Sequence, residues 1–252
     1  MEFLQPGPGD AVDAAPVEDL RARLRALPTF PEDLPALDPG AAPDDPAMLF
    51  LRWLGDAAAD GTPAPHATVL ATADAQGRVS ARNVILTDLD DDGWHFSTHR
   101  SSPKAADLAA NPRAALTFFW PAHGRQVRLT GVVRDVGAEA SVFLARSEAS
   151  RVGTLVGHQS EPLPSLEDYA AAYARTEERV RAEPGLVDPD WADHALAPDA
   201  VEFFQAARPG NIRLRYRAER DRATDQGPGE GLDRRVRRGA GRARWVRELL
   251  WP

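Results

Sequence analysis

Arg125-Gln126-Val127-Arg128-Leu129-Thr130-Gly131, continuing to Val136, decides the fold. Val127, Leu129, Gly131 and Val133 alternate with Gln126, Arg128, Thr130 and Val132, the period of two that a strand shows when one face meets a core. The run from Gln126 to Val136 is long enough to bend around a barrel. Working outward, Ala114 to Trp120 precedes it across the turn Pro121-Ala122-His123-Gly124. Further upstream, Ala67 to Ala73, Val79 to Thr87 and Trp94 to Thr98 read as strands separated by Asp74-Ala75-Gln76-Gly77 and by an acidic hairpin loop, Asp88 to Gly93. Closely spaced strands with turn signals between them favour a barrel or sandwich over a βαβ sheet.

Helices flank this β region. Pro46 to about Asp60 begins with a proline suited to the first turn and carries Met48, Leu49, Leu51, Trp53 and Leu54 on one side. Pro103 to Ala110 interrupts the strands and stops at Asn111-Pro112. Two further helices are expected at about Ala138 to Ala149 and Leu166 to Ala182. The division that follows is an N-terminal arm over 1–45, largely disordered with one short helix (Val17 to Leu27); a barrel domain over 46–216; and an Arg-rich insertion with a C-terminal strand of the same domain over 217–252.

The 252 residues include no cysteine, which removes disulfides, thiolate nucleophiles and Cys-based metal centres. No histidine pair has metal-ligand spacing, and no metal is expected. The N-terminus lacks a basic and then apolar leader and no run is long enough to cross a bilayer, so the expectation is a cytoplasmic protein with no membrane partner. Net charge is −8, yet residues 206–252 hold 13 Arg against 6 Asp and Glu, a net +7, leaving −15 on the remainder. Gly and Asp interrupt the Arg-rich run within it and no aromatics interleave with that run, so it reads as a solvated insertion and not as a nucleic-acid surface.

Several polar residues look chemical. Ser102 is suited to cap the helix at Pro103, and Lys104 in the first turn opposes the helix dipole unless an anion lies between. Arg82 shares a strand face with Val84 and Leu86, where a cation needs an anionic partner, either a ligand or one of the many aspartates. Gln126 opens the long strand with an amide that can both donate and accept. Gln159-Ser160 opens the loop Glu161-Pro162-Leu163-Pro164, and His99 and His158 flank these segments.

Arg82-Asn83-Val84-Ile85-Leu86, Ser97-Thr98, Ser102-Pro103-Lys104-Ala105, Asn111-Pro112-Arg113, Arg125-Gln126-Val127-Arg128 with Gly131, and Gln159-Ser160 occur in an order and spacing that resemble the pyridoxine/pyridoxamine 5'-phosphate oxidase family. The resemblance covers Pro46 to Arg213 and Trp245 to Pro252. It implies a mainly β protein with flanking α, an FMN-binding split β-barrel, working as a homodimer with FMN at the subunit interface. Arg82 and Lys104 would hold the FMN phosphate, with Ser102 among the cofactor-binding residues. Asn83, Val84, Ile85, Leu86, Thr87, Ser97 and Thr98 would line the ring and ribityl chain. Gln126 and Phe204 would lie near the flavin, Gln159 and Ser160 would reach the partner's site, and Arg213 would approach the polar edge of the ring. Related split barrels use deazaflavin, and that cofactor stays open here.

Departures from the family pattern bear on substrate. Thr87 stands where the family has Lys, Val142 where it has a Tyr that grips substrate phosphate, and Phe204 where it has Trp. Arg208-Pro209-Gly210-Asn211 replaces an Arg-x-His triplet with one residue missing. Of the substrate-phosphate grip, Arg146 and Ser150 remain. The expected function is an FMN-dependent oxidoreductase oxidising a small aromatic or heterocyclic substrate, such as a phenazine-type biosynthetic intermediate, with O2 as acceptor. The alternatives are pyridoxamine/pyridoxine 5'-phosphate oxidase proper and a non-catalytic flavin- or haem-binding split barrel.

Overall fold

A computed structural model describes residues 19–219 and 244–252. The expected disorder of residues 1–16 and most of the Arg-rich insertion lie outside the described residues. Among the described residues, eight strands form one antiparallel sheet: β1 (Ala67–Ala73), β2 (Val79–Asp90), β3 (Gly93–His99), β4 (Arg113–Trp120), β5 (Arg125–Gly137), β6 (Trp191–Gln205), β7 (Ile212–Glu219) and β8 (Arg244–Leu250). Their order is β3-β2-β1-β4-β5-β6-β7-β8, and an additional β3–β6 pairing closes the first six into a barrel. β7 and β8 extend from it as a flap on β6. The chain is thus the mainly β split barrel that the sequence implies, and closure removes most of the free strand edges.

β5 spans thirteen residues and pairs with β4 on one side and β6 on the other. Its inward residues Val127 and Leu129 are fully buried. β6 and β7 are strands that the sequence reading does not mark. β6 is buried on both faces over much of its length, so it lacks alternation, and Pro198 sits in its middle. The register with β5 shifts there: Thr130 pairs with Ala200 and Gly131 with Pro198. A proline is tolerated at such an irregularity because no regular ladder bond is lost. Gly131 is required at the same point, since a Cβ would stand 2.2 Å from the Ala197 carbonyl oxygen.

α2 (Pro46–Ala59) is capped by the Asp45 side chain, which accepts from the Ala47 N–H at 2.9 Å, and has Pro46 in its first turn. Its Leu49, Phe50, Trp53 and Ala57 enter the barrel core. The Phe50 ring lies 4.8 Å from Phe118 and 5.7 Å from Trp94, and Trp53 lies 5.2 Å from Phe203. Arg125, which opens the deciding stretch, is a buried clamp for this helix. It donates to Asp56 at 2.7 Å and to Gln205 at 3.0 Å, and its guanidinium stacks 4.6 Å from the Trp53 ring.

The described part of the arm contains a short helix, α1 (Leu20–Ala26), with no buried residue. From there to Asp45 the chain lies along the barrel. Leu37 and Ala42 are buried, Tyr216 donates to the Pro43 carbonyl at 2.7 Å, and Phe30 lies 6.3 Å from both Phe119 and Phe204. α3 (Pro103–Ala110) packs beside β1. The single helix expected over 138–149 is two: α4 (Ala140–Leu144) and α5 (Glu148–Leu155). The break occurs because the Ser147 side chain accepts the Ser150 N–H and caps a new helix. α5 packs on α6 (Leu166–Ala182), and an Arg181–Glu148 ion pair joins them. No helix among the described residues is long and apolar enough to cross a membrane.

Candidate cofactor and substrate site

The site lies where the barrel opens. β2 pairs with β1 over Val79 to Ile85 but with β3 only from Leu86 to Asp90, across a register shift. The edge of β2 before Leu86 that faces away from β1 therefore has no strand partner among the described residues. A cavity of about 490 Å³ adjoins this edge, within the range of small-molecule sites. Consecutive residues Asn83, Val84 and Ile85 all line it, together with Thr87 beyond the shift. Alternation would put only every second side chain on one face. Three in a row reach the cavity because it meets the strand along its edge.

Lys104 forms the cationic end. Its ammonium donates to Thr98 Oγ1 at 3.1 Å, and burial, followed by the neighbouring Arg82 guanidinium, holds its pKa below the usual lysine range. No carboxylate pairs with it among the described residues. Arg82 points the same way from the barrel side of β2. It donates to the Leu70 carbonyl at 3.1 Å and Thr72 Oγ1 at 2.8 Å, is held by Ser80, and lies 3.9 Å from Asp107. The aspartate partner weighed for Arg82 is thus present, although at the limit of ion-pair distance. A lysine with no carboxylate partner among the described residues and an arginine held at the limit of ion-pair distance, beside a helix N-terminus, can receive an anion.

A further cation lines the same cavity. Arg146 occupies the break between α4 and α5, donates to Thr154 Oγ1 at 2.9 Å, and lies 5.6 Å from the Phe143 ring and 5.9 Å from Trp191. Burial pushes its pKa down, and no carboxylate pairs with it among the described residues. Ser150, Thr154, Val142, Gln159 and Trp191 complete this end.

The wall between the two ends is held by a charged network. Asp193 accepts from Ser97 at 3.3 Å and from Thr87 at 3.4 Å, both in the cavity wall. Its other oxygen lies 2.7 Å from His95 Nδ1, and His95 Nε2 lies 2.7 Å from Asp90. Burial opposes the charged ring, but Asp193 and Asp90 outweigh it, and the His95 pKa is pushed up to about 9.

Ten of the seventeen site residues expected from the sequence line this one cavity: Asn83, Val84, Ile85, Thr87, Ser97, Thr98, Lys104, Arg146, Ser150 and Gln159. Arg82, Leu86, Ser102 and Ser160 do not line it. Leu86 packs against the barrel core, and Ser160 is exposed beside Gln159 with φ 68°. Ser102 is wholly buried, donating to the His99 carbonyl at 2.7 Å and accepting from Ala105 N–H as a cap. Gln159, expected to reach into a partner's site, lines the cavity of its own chain. Gln126, Phe204 and Arg213 are register neighbours on β5, β6 and β7, away from the cavity. Arg213 is engaged there, donating to Glu202 at 2.6 and 2.9 Å and to the Trp251 carbonyl at 3.1 Å. Thr154 and Trp191 are wall residues that sequence reasoning missed. Trp191 opens β6, the strand without alternation, while Thr154 follows Arg146 and Ser150 at helical spacing of four, a usable signal.

A closed six-stranded barrel with a paired flap and a cationic cavity defines a split-barrel protein. The family model described as Pyridoxamine 5'-phosphate oxidase matches residues 54–178. The pyridoxine/pyridoxamine 5'-phosphate oxidase of Bordetella avium (strain 197N) is 41% identical over 184 residues, 69% of this chain and 83% of the relative. That of Anaeromyxobacter dehalogenans (strain 2CP-C) is 42% identical over 181 residues, 71% of this chain and 90% of the relative. Among solved structures, PhzG from Burkholderia lata 383, in complex with tetrahydrophenazine-1-carboxylic acid, matches with a TM-score of 0.69 at 27% identity, over 89% of this chain and 100% of that one. The chain belongs to the pyridoxamine 5'-phosphate oxidase family, which places it among oxidoreductases.

Proposed function

We propose that this protein is an FMN-dependent oxidoreductase that oxidises a small aromatic or heterocyclic substrate, with O2 as the acceptor. The observation that carries the reading is Lys104, which pairs with no carboxylate among the described residues, with Arg82 near it and only loosely paired to Asp107 at 3.9 Å, beside the start of α3 in a cavity bordered by a free strand edge. The residues present fit the cofactor. A phosphomonoester would be held by Lys104, with Arg82 and the helix N-terminus behind it. The unpaired backbone edge at 83–85 and the hydroxyls of Thr87, Ser97 and Thr98 suit the hydrogen-bonding edge and ribityl chain of a flavin. When bound, the flavin supplies two-electron redox chemistry that no side chain here offers. The chain's own residues bind, orient and desolvate; Asp193, clamped by His95, fixes the Thr87 and Ser97 hydroxyls in the wall. The co-structure of PhzG with tetrahydrophenazine-1-carboxylic acid supports a phenazine-type substrate.

A homodimer belongs to the same reading. Gln126, Phe204 and Arg213 lie outside their own chain's cavity, and Val69, Ile85 and Phe119 are exposed apolar residues on β1, β2 and β4. A second copy covering that apolar surface would bring the missing residues to the flavin. Pyridoxamine/pyridoxine 5'-phosphate oxidase activity is the second reading, favoured by Arg146 and Ser150 in the cavity and by the names of the relatives. The test is a visible spectrum and a mass of whatever copurifies, followed by oxygen uptake with reduced heterocycles and with pyridoxamine 5'-phosphate. A colourless protein, or a haem spectrum, defeats the flavin assignment. A yellow protein that consumes no oxygen with any of them is a carrier.

A further inference from the structure

The hydroxyls of the cavity wall direct their protons away from the cavity. A hydroxyl has one proton and two lone pairs, so a proton engaged behind the wall leaves only lone pairs in front of it. Thr87 and Ser97 both donate to the same oxygen of Asp193, at 3.4 and 3.3 Å, and a carboxylate can only accept. The other Asp193 oxygen lies 2.7 Å from His95 Nδ1, and His95 Nε2 lies 2.7 Å from Asp90, so the Asp193 carboxylate is held from behind. Thr98 reaches the same state by another route. Ser102 donates to the His99 carbonyl at 2.7 Å, so in its 3.2 Å contact with Thr98 it accepts, and the Thr98 proton is engaged there. Lys104 in turn donates to Thr98 at 3.1 Å. Thr87, Ser97 and Thr98 all line the cavity, and each offers it lone pairs alone. Residues added by a second copy would not release these protons, because the groups that hold them belong to the same chain.

We propose that Asp193 is a positioning residue that, through Thr87 and Ser97, makes this wall a receptor for hydrogen-bond donors, so that the site selects a cofactor whose phosphate is followed by a hydroxylated chain. The inference rests on the flavin reading and deepens it. Ser97 and Thr98 are consecutive, so the acceptor wall begins one strand step from the hydroxyl that Lys104 holds. In a flavin anchored there by its phosphate, the groups next to the phosphate are the ribityl hydroxyls, which donate. A ligand without donors at this wall leaves lone pairs unmatched and loses affinity. A haem presents carbon edges and carboxylates, and neither can donate to it.

The test is a pair of flavin titrations of the full-length protein, stripped of whatever copurifies and read by flavin fluorescence. One probe is FMN. The other is its analogue with an unsubstituted pentyl phosphate chain, which keeps the ring and the phosphate but lacks the side-chain hydroxyls. The wild type is expected to bind FMN about tenfold more tightly than the analogue. Asp193→Asn, of the same shape but able to donate from its amide, should cut that ratio about threefold or more and leave the affinity for the analogue nearly unchanged. Thr87→Val combined with Ser97→Ala should do the same with the His95 contacts intact, and so tests the wall even if the Asp193 variant fails to fold. A residue that merely braced the fold would weaken both flavins alike, and that result would overturn the proposal. Equal binding of the two flavins by the wild type, or a ratio that survives both variants, would overturn it as well. The same titrations separate the two failures: FMN bound without preference sinks this inference alone, whereas a protein that binds neither flavin sinks the flavin reading beneath it.

Discussion

His95→Gln tests the network that braces the cavity wall. His95 is 5% exposed, with a carboxylate 2.7 Å from each ring nitrogen, and its pKa rises from 6.5 to about 9. A group whose folded pKa exceeds its unfolded value stabilises the fold fully below the unfolded pKa. That contribution shrinks as pH climbs and is gone above the folded pKa. Here the window runs from pH 6.5 to 9, and the full rise corresponds to about 3 kcal/mol. The Asp90 side chain is 49% exposed, so solvent screening trims this to about 2 kcal/mol. Urea unfolding of both proteins at pH 6, 7, 8 and 9.5 measures it. The wild type should lose about 2 kcal/mol more than the variant across that range, with the gap between them closing at the alkaline end. Two curves that run parallel from pH 6 to 9.5 would refute the assignment of a charged ring.

Lys104→Ala should weaken FMN binding roughly 10- to 100-fold, the worth of one charge-assisted hydrogen bond, in a fluorescence titration of the apo-protein. The apo-protein's melting temperature should hold or rise, since a half-buried cation without a carboxylate partner is removed. Gly131→Ala should cost about 2–3 kcal/mol or prevent folding, because the added Cβ meets β6 backbone that cannot swing aside; denaturant midpoints read this directly. Phe119→Asp, on a side chain 54% exposed, should leave the barrel folded by circular dichroism but shift the sedimentation coefficient from dimer to monomer. A coefficient that does not move would count against the homodimer.

Legibility of the fold tracked alternation. β1, β4 and β5 each bury one face, so the sequence showed them within a residue or two. β7 alternates as plainly, with Ile212, Leu214, Tyr216 and Ala218 against Arg213, Arg215, Arg217 and Glu219. Its polar face is built of arginines, so the segment reads as a charged stretch as readily as a strand. β6 gave no such signal, because a strand at the barrel seam is covered on both faces and its proline mimics a loop. The helical pattern over 138–149 runs through Ser147, and only the capping chemistry of that residue marks the break into two helices.

The site was legible where it depends on charge and opaque where it depends on backbone. Lys104 stood out because a cation opposing a helix dipole needs a ligand to explain it, whereas Arg146 was marked by the family resemblance alone and its place among rings comes from the fold. Ser102 looked equally chemical, yet its hydroxyl is consumed in capping α3; residue type alone does not separate a donor held for a ligand from one held for a helix. Asn83, Val84 and Ile85 differ in every side-chain property, and they share only the unpaired edge of β2. A ligand received along that edge meets N–H and C=O groups that any residue provides, so these positions tolerate exchange that leaves the strand intact. Discrimination among ligands must then come from the rest of the cavity. Replacing Asn83 or Ile85 by residues of similar size should therefore move cofactor affinity little, while Lys104 and Arg146 govern which anions are admitted.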